Sequence, residues 1–568
     1  MKKSSSPSLF RPRFLELWNR KGEEKIAWGT EIISGMTVGL IALPLALALG
    51  IASIPAGADT GLPAPAIGII TAIIAGALIS ALGGSRVQIG GPTAAFIPIV
   101  LLIIQEHGFQ GLLISTLMAG CILIVMGLTR MGTLIKYIPW PVTSGFTTGI
   151  AVSIMLSQIP DLLGYRSGGA PREFFEKVDW LIEHASLLNP VTSVLGVICI
   201  AIILLWPKFK LKRIPGSIVA MILATFFVLI WKDTGVETIA SKFGAGALSS
   251  GFPQPRLPQI DWSMVRDLIG PATAIAILGA IESLLSAVVA DGLSGDRHDS
   301  NTELVAQGVA NLCCPLFGGL PATGAIARTT ANINSGGKTP ISGIVHAFTL
   351  LMLMLIGSKW AGMIPMTAMS AVLMVVAIRM GDWHELSRCL KMPRSDALVM
   401  ITTFGLTVVF DLVVAVEVGM VLAAMLYIRR VSETTQVSHV TDQDMLERPE
   451  QMAQGKTIPE GVRVFRIFGP FMFGAAEKME AAMEASGGFP QVLILRLHLV
   501  TAMDTTGLNA LESLVERMQE HHKCVILSGV HLQPLSMMRK SGFVDKAGFE
   551  NFTATFDEAL ELSQKRLE

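Results

Sequence analysis

Two stretches of the sequence place glycine, proline and hydroxyl residues where an apolar run would otherwise continue. The first reads Val87-Gln88-Ile89-Gly90-Gly91-Pro92-Thr93-Ala94-Ala95. The second reads Gly318-Gly319-Leu320-Pro321-Ala322-Thr323-Gly324-Ala325-Ile326-Ala327-Arg328-Thr329-Thr330. Proline suits the first turn of a helix, where its missing N–H would be unpaired anyway, and glycine lets extended backbone approach closely. Each stretch therefore predicts an extended lead running into a short helix. Two helix N-termini meeting in one cavity would present free N–H groups and positive dipole ends, a chemistry suited to an anion. The plainer alternative is that Gly and Pro merely kink two ordinary helices.

Arg328 stands at the mouth of the second short helix. A cation at the centre of a bilayer costs at least about 3 kcal/mol on insertion scales. It is expected to face a substrate cavity, or to form a structural ion pair with Glu282. That carboxylate lies in the apolar run Ala280-Ile281-Glu282-Ser283-Leu284-Leu285-Ser286. Desolvated there, it can carry a proton at useful pH, which makes it a candidate coupling group. With the Ser286 hydroxyl one turn away, it is also a candidate oxygen ligand for sodium. Glu31, near the end of the first span, reads as solvated. Asp291, Asp296, Arg297, His298 and Asp299 read as a mixed-charge surface loop rather than a metal site. Gly35 with Gly39, and Gly145 with Gly149, read as small-residue packing stripes.

The elements that must position these groups are apolar. Hydrophobic residues make up 51% of the 568 and charged residues only 15%, against about a quarter charged in an average soluble chain. A helix needs about 20 mostly apolar residues to span a bilayer. Long runs lie around 31–54, 66–83, 111–129, 191–206, 215–231, 270–290, 341–357, 364–379, 395–412 and 413–428, with more polar ones at 141–159 and 303–318. Two short runs, Pro92–Ile104 and Ile326–Asn334, bring the expected total to roughly fourteen. The short runs are third and tenth, so they match in position if the chain is two repeats of seven. Interrupted segments at matching positions are a strong sequence pointer to a transporter's binding site.

Charge orients the spans. Lys208, Lys210, Lys212 and Arg213, then Arg379, Arg388, Lys391 and Arg394, then Arg130, Lys136 and Lys338, all follow even-numbered segments. Basic loops mark the cytoplasmic side, so both termini are expected there, in an inner membrane. Residues 1–25 carry no apolar core of signal-peptide length and read as a cytoplasmic tail. The six cysteines fit no zinc or redox spacing and read as reduced packing residues. Net charge is zero, which gives no sign of a nucleic-acid partner. No GxxxxGK[ST] loop, nucleophile elbow or zinc-protease helix occurs, so neither ATP drive, an enzyme nor a cofactor is expected.

The transmembrane region is expected over 26–430 and a polar linker over 431–460. From Gly461 the pattern turns to soluble α/β. Strands are expected at Val462–Phe468, Val492–Leu497 and Cys524–Leu527, with helices at Leu508–Met518 and Phe556–Leu567. In the turn Met503-Asp504-Thr505-Thr506-Gly507-Leu508, Asp504 and the threonines are expected to cap the helix. A regulatory phosphate on Thr505 or Thr506 is the sharper alternative.

These residues resemble the sulfate permease (SulP) family of anion transporters over nearly the whole chain. The likeness rests on Gly90-Gly91-Pro92-Thr93-Ala94-Ala95-Phe96, Leu278–Leu285, Ala327-Arg328-Thr329-Thr330-Ala331-Asn332 and a C-terminal STAS-like domain at 461–568. Within the family the stretch Ile281–Gly292 looks most like bacterial C4-dicarboxylate transporters. The resemblance implies a polytopic α-helical fold of two inverted seven-helix repeats. Its core (spans 1–4 and 8–11) would slide against a gate (spans 5–7 and 12–14), usually in a homodimer. It selects Leu45, Leu49, Thr93, Ala94, Ala327, Arg328 and Thr329 as anion contacts, with Glu282 and Ser286 as coupling groups. Animal members often carry Gln where Leu45 stands, so halide-type exchange is not expected here. Sodium-using bicarbonate members tend to carry Asp at the Glu282 position, which favours a proton. The expectation is proton-coupled symport of succinate, fumarate or aspartate by an elevator motion. The alternatives are sulfate or sodium-coupled bicarbonate symport, or a membrane-anchored regulator whose STAS-like domain binds a cytosolic partner.

Overall fold

A computed structural model describes residues 10–17, 27–55, 57–133, 139–165, 171, 174–208, 215–231, 234–244, 251, 254–258, 262–410, 412–440, 457–472, 475–485 and 489–568. Lys136, Lys210, Lys212 and Arg213 lie outside them, as do most of the expected tail and linker. The chain divides into two compact units, Met1–Val421 and Leu422–Glu568.

The first unit is helical. Its main helices are α1 (Trp28–Ser53), α2 (Ala64–Leu82), α3 (Ile97–Leu128), α4 (Trp140–Leu163), α5 (Pro190–Leu205) and α6 (Gly216–Ile230). There follow α7 (Ile269–Ser294), α8 (Ser300–Cys313), α9 (Ile326–Asn334), α10 (Pro340–Ala361), α11 (Met366–Met380), α12 (Arg394–Val409) and α13 (Leu412–Thr434), the last reaching into the second unit. Among the described residues six helices are long and apolar enough to cross a membrane, and three more are apolar but shorter. The third and fourth expected segments lie along α3, which is two helices joined at the non-helical Gly108 (φ 70°, ψ 179°), a conformation that favours glycine.

Packing sorts the helices into two sets. The helices α1, α2, α3, α7, α8, α9 and α10 pack mainly on one another, and α4, α5, α6, α11 and α12 do likewise. Small residues make the close approaches. A Cβ on Gly68 would meet the Ala46 carbonyl, and Gly50 faces Gly68 across the α1–α2 seam. The two glycine stripes behave as packing stripes. Gly35 and Gly39 lie against Ser342, Val345 and Thr349 of α10, and Gly145 and Gly149 against Met400 and Thr407 of α12.

Glu31 is not solvated. It is 3% exposed and accepts the backbone N–H of Lys338 at 3.0 Å and of Thr339 at 3.4 Å. The carboxylate thus serves the free donors at the start of α10, where negative charge is favourable. Glu303 on α8 plays the same part for the loop after α2, accepting from Gly84 N at 2.9 Å and Ser85 N at 3.2 Å. In the charged loop, His298 Nδ1 bonds Asp291 at 2.7 Å and Arg86 pairs with Asp296 at 3.3 Å. Asp296 is thus paired with a residue of the neighbouring loop and Asp291 with His298, and no metal-binding cluster occurs among the described residues.

In the second unit a five-stranded sheet runs β3 (Gln436–Val440), β4 (Val462–Phe468), β5 (Val492–Leu499), β6 (Cys524–Ser528) and β7 (Phe552–Thr553). The strand β3 joins antiparallel at the edge and the rest are parallel. It lies in the stretch that composition marks as linker, because five residues of mixed polarity carry little strand signal. The middle strands are apolar on both faces, as a sheet covered on both sides requires. On one face Phe465, Leu493 and Leu495 pack with Leu511, Leu514 and Met518 of α15 (Thr505–Glu520), which follows α14 (Ala475–Ala485). On the other, Val464, Val492 and Ile494 pack with Ala559 and Leu560 of the closing helix Phe556–Leu567.

Candidate functional site

The two motifs meet. Gly90–Gly91 (β1) pairs antiparallel with Thr323–Gly324 (β2), with Gly90 opposite Gly324 and Gly91 opposite Thr323. Each short strand leads straight into a helix: β1 into the turn Ala94–Phe96 and then α3, β2 into α9. Neither start has a side-chain cap, at Thr93, Phe96 or Ala325. The first turns of both helices therefore keep backbone donors that no residue of their own helix can satisfy.

The pair is held from behind by buried polar side chains. On α7, the Ser283 hydroxyl lies 2.5 Å from that of Thr323 and accepts from Gly324 N at 3.1 Å. Thr323 donates to the Gly279 carbonyl at 3.0 Å. Gln88 Nε2 donates to the Ser283 carbonyl at 3.0 Å. Asn311 of α8 clasps Ala322 through both its amide groups, at 2.8 and 2.9 Å. Asn332 of α9 donates to the Val87 carbonyl at 2.9 Å and accepts from Ser34 at 2.8 Å. Isolated polar residues in apolar spans are here the struts of one small sheet.

Arg328 sits in the first turn of α9 and is 2% exposed. Its Nη2 donates to the Pro92 carbonyl at 3.3 Å, so it reaches from the second half-helix to the start of the first. Nη1 lies against Gly91, where any Cβ would strike it, and has no hydrogen-bond partner. The ion pair with Glu282 is not formed: Nη2 is spent on Pro92 and Nη1 has no partner. The neighbouring Thr93 Oγ1 is also buried without a partner. Ala94 is 5% exposed beside it. An unspent cationic donor, an unspent hydroxyl and two uncapped helix starts form a pocket chemistry for an anion.

The remaining expected contacts divide. Thr329 is 1% exposed, and its hydroxyl accepts from Ile89 N at 3.1 Å and from Ser286 at 3.3 Å. Thr329 thus holds the residue just before β1, with Ser286 behind it. Ala327 is exposed in the first turn of α9, next to Arg328. Leu45 is half-buried and Leu49 is 3% exposed on α1, just after Pro44, and α1 packs against α9. Glu282 is half-buried on α7, next to the face that carries Gly279, Ser283 and Ser286. In the second unit Asp504 caps α15 by accepting from Gly507 N at 2.8 Å, and Thr505 and Thr506 are exposed in its first turn.

One group escaped the reading of the sequence. His346 on α10 is 0% exposed, and neither ring nitrogen has a partner. The available signal was a lone polar residue inside an otherwise apolar span.

The sequence profile described as the Sulfate permease family matches residues 29–403, and that of the STAS domain matches 455–559. A putative sulfate transporter of Bacillus subtilis, YvdB, is 36% identical over 95% of this chain and 98% of its own length. The bicarbonate transporter BicA of Picosynechococcus is 31% identical over 93% of this chain and 94% of its own. Among solved structures, the murine Solute Carrier 26 family member A9 anion transporter superposes with a TM-score of 0.83 over 100% of this chain and 96% of its own. Its 18% identity makes that a likeness of fold.

Proposed function

The chain belongs to the sulfate permease family of anion transporters, and from that premise we propose that it moves a small oxyanion docked at Arg328 between the two half-helix starts. The observation that carries this reading is the buried, unpartnered Nη1 of Arg328. A buried charge without a counter-charge is strongly unfavourable, and a docked anion supplies one. Guanidinium and backbone N–H groups suit the oxygens of sulfate, bicarbonate or a carboxylate. Leu45 and Leu49 then wall the pocket with apolar surface.

Transport is secondary active, with Glu282 as the coupling carboxylate. A proton or a sodium ion neutralises it while the anion neutralises Arg328, so that no bare charge crosses. The moving body is the set α1–α3 with α7–α10, sliding against α4–α6 with α11–α13 as in an elevator. Support comes from the two packing sets, which hold all of these helices except α13. The assembly is a homodimer in the inner membrane, with both termini cytoplasmic. Regulation falls to the STAS domain, through a phosphate on Thr505 or Thr506 or through a cytosolic partner.

The narrower reading, proton-coupled uptake of C4-dicarboxylates, draws on the likeness around Ile281–Gly292. The names of the relatives favour sulfate or bicarbonate at least as much. Uptake of labelled fumarate, sulfate and bicarbonate into proteoliposomes, each competed by the other two, separates these. Runs under an inward proton or sodium gradient identify the coupling ion. Proton-driven fumarate uptake that sulfate does not block supports the dicarboxylate. Uptake of sulfate or bicarbonate alone replaces it.

A further inference from the structure

Residues 1–25 read in the sequence as a tail, yet part of that stretch is tied to the helical unit. Pro12 is buried, and the short helix Arg13–Leu17 packs on α2 and α10. Arg13 makes the closest grip. Its backbone N–H donates to the Gly83 carbonyl at 3.0 Å and its Nε to that of Gly84 at 3.2 Å. Both acceptors lie just past the C-terminus of α2, where a cation is favoured. Arg13 Nη2 donates to the Arg297 carbonyl at 2.5 Å, in the loop between α7 and α8, and Nη1 pairs with Glu16 at 2.6 Å. Glu16 in turn binds Arg86 at 2.9 Å, and Arg86 binds Asp296 at 3.3 Å. The Arg11 N–H donates to the Thr302 hydroxyl at 3.3 Å, near the start of α8. Every guanidinium nitrogen of Arg13 is thus spent, and two loops far apart in sequence are joined through it.

One of those loops leads straight to the half-helix starts. Residues 83–89 form no helix or strand and run from the end of α2 into β1. Polar contacts fix this lead nearly residue by residue. Glu303 of α8 holds the N–H groups of Gly84 and Ser85. Asn332 of α9 holds the Val87 carbonyl at 2.9 Å, and Gln88 reaches the Ser283 carbonyl of α7 at 3.0 Å. Thr329 of α9 accepts from the Ile89 N–H at 3.1 Å. The lead ends at Gly91, against Arg328 Nη1. At its outer end, at Gly83, Gly84 and Arg86, the N-terminal segment adds its own hold. An extended segment without a ladder of its own opens locally at low cost unless such contacts secure it.

We propose that residues 11–16 belong to the moving body and that Arg13 is a positioning residue for the anion site, acting through the lead 83–91. Its bonds fix the start of the lead against the α7–α8 loop, and so keep Gly91 in place beside Arg328. Surface ion pairs alone are worth little, so Glu16 and Arg86 count chiefly by holding Arg13 in position. The bonds from Arg13 to three main-chain carbonyls tie backbone to backbone. No proton or metal ion is taken up in this role, which separates it from that of Glu282 on α7. The inference rests on the anion site proposed at Arg328.

The test uses full-length wild type, Arg13→Ala, Arg13→Lys and Arg328→Ala. Leu15→Ser, at a side chain of the same segment that is 54% exposed, is the control. KM and kcat are measured in proteoliposomes for whichever of sulfate, bicarbonate and fumarate wild type carries. Amide hydrogen exchange of the detergent-solubilised proteins is followed by mass spectrometry. Arg13→Ala is expected to raise KM about two- to thirtyfold with kcat little changed. It should speed exchange at 83–91 while α4 and α5 exchange as in wild type. Arg13→Lys keeps the charge but loses the fork, and should fall between, with Leu15→Ser matching wild type. Wild-type exchange at 83–91 in Arg13→Ala overturns the inference. So does exchange that rises equally in α4 and α5, which marks a general loss of stability. A wild-type KM in Arg13→Ala, with KM raised in Arg328→Ala, overturns it and leaves the anion site standing. A wild-type KM in both, or no uptake of any of the three anions by wild type, removes the site at Arg328 and the inference with it.

Discussion

Arg328 Nη2 donates to the carbonyl oxygen of Pro92 at 3.3 Å, joining residues 236 apart in sequence. One guanidinium thereby touches the starts of both half-helices, and its second terminal nitrogen is left for something the chain itself does not supply. Hydrogen bonds to charged groups are worth about 1.5–3 kcal/mol. Arg328→Ala is therefore expected to lower kcat/KM for the transported oxyanion by about 10- to 150-fold, chiefly through KM. Arg328→Lys keeps the charge but loses the fork, and should fall between. Initial rates in proteoliposomes over a range of anion concentrations check both.

Gly91 tests the same geometry from the other side. A Cβ there would overlap Arg328 Nη1. Gly91→Ala should displace the guanidinium and raise KM several-fold, and should also lower the thermal stability of the detergent-solubilised protein, because Gly91 has a φ of 156° that strains any Cβ. A KM equal to that of wild type would mean that Nη1 plays no part in binding.

Glu282 is expected to govern drive rather than docking. In Glu282→Gln the amide can neither bind a proton nor neutralise the charge of a cation. Concentrative uptake under an ion gradient should be lost, with anion binding retained within about threefold, since no docking contact is removed. The two readouts are gradient-driven accumulation and equilibrium anion binding on the same preparation.

Ser283 is a support. Replacing it by alanine removes the acceptor for Gly324 N and the partner of Thr323, both buried. Leaving a buried donor unsatisfied costs about 1–3 kcal/mol. Ser283→Ala should lower the melting temperature and weaken anion binding together. A loss of binding at unchanged stability would instead make Ser283 an anion contact.

Much of this arrangement is legible in the sequence. Gly-Gly-Pro-Thr and Pro-Ala-Thr-Gly interrupt apolar runs by local chemistry, and each precedes a helix start. The strands around Val462, Val492 and Cys524 also declare themselves by composition. The pairing of Gly90–Gly91 with Thr323–Gly324 does not, because two-residue strands carry no periodicity and their contact is long-range. Glu31 looks solvated from its place near a span end, and only the fold brings the free N–H groups of Lys338 and Thr339 to it. Thr329 and Ser286 have the right types for ligands, yet their hydroxyls are directed at Ile89 and at each other. Residue type sets what a side chain can do, whereas its direction depends on which helix packs behind it. His346 was hidden for the same reason: one histidine in an apolar helix is ordinary until its neighbours are known.

The most direct test of the anion site is uptake of labelled sulfate, bicarbonate and fumarate by wild type and Arg328→Ala, side by side, in proteoliposomes of matched protein content. For whichever anion wild type carries, Arg328→Ala should show a KM raised at least about tenfold. An Arg328→Ala protein that takes up that anion with the wild-type KM would contradict the account, and the site would have to lie elsewhere in the fold.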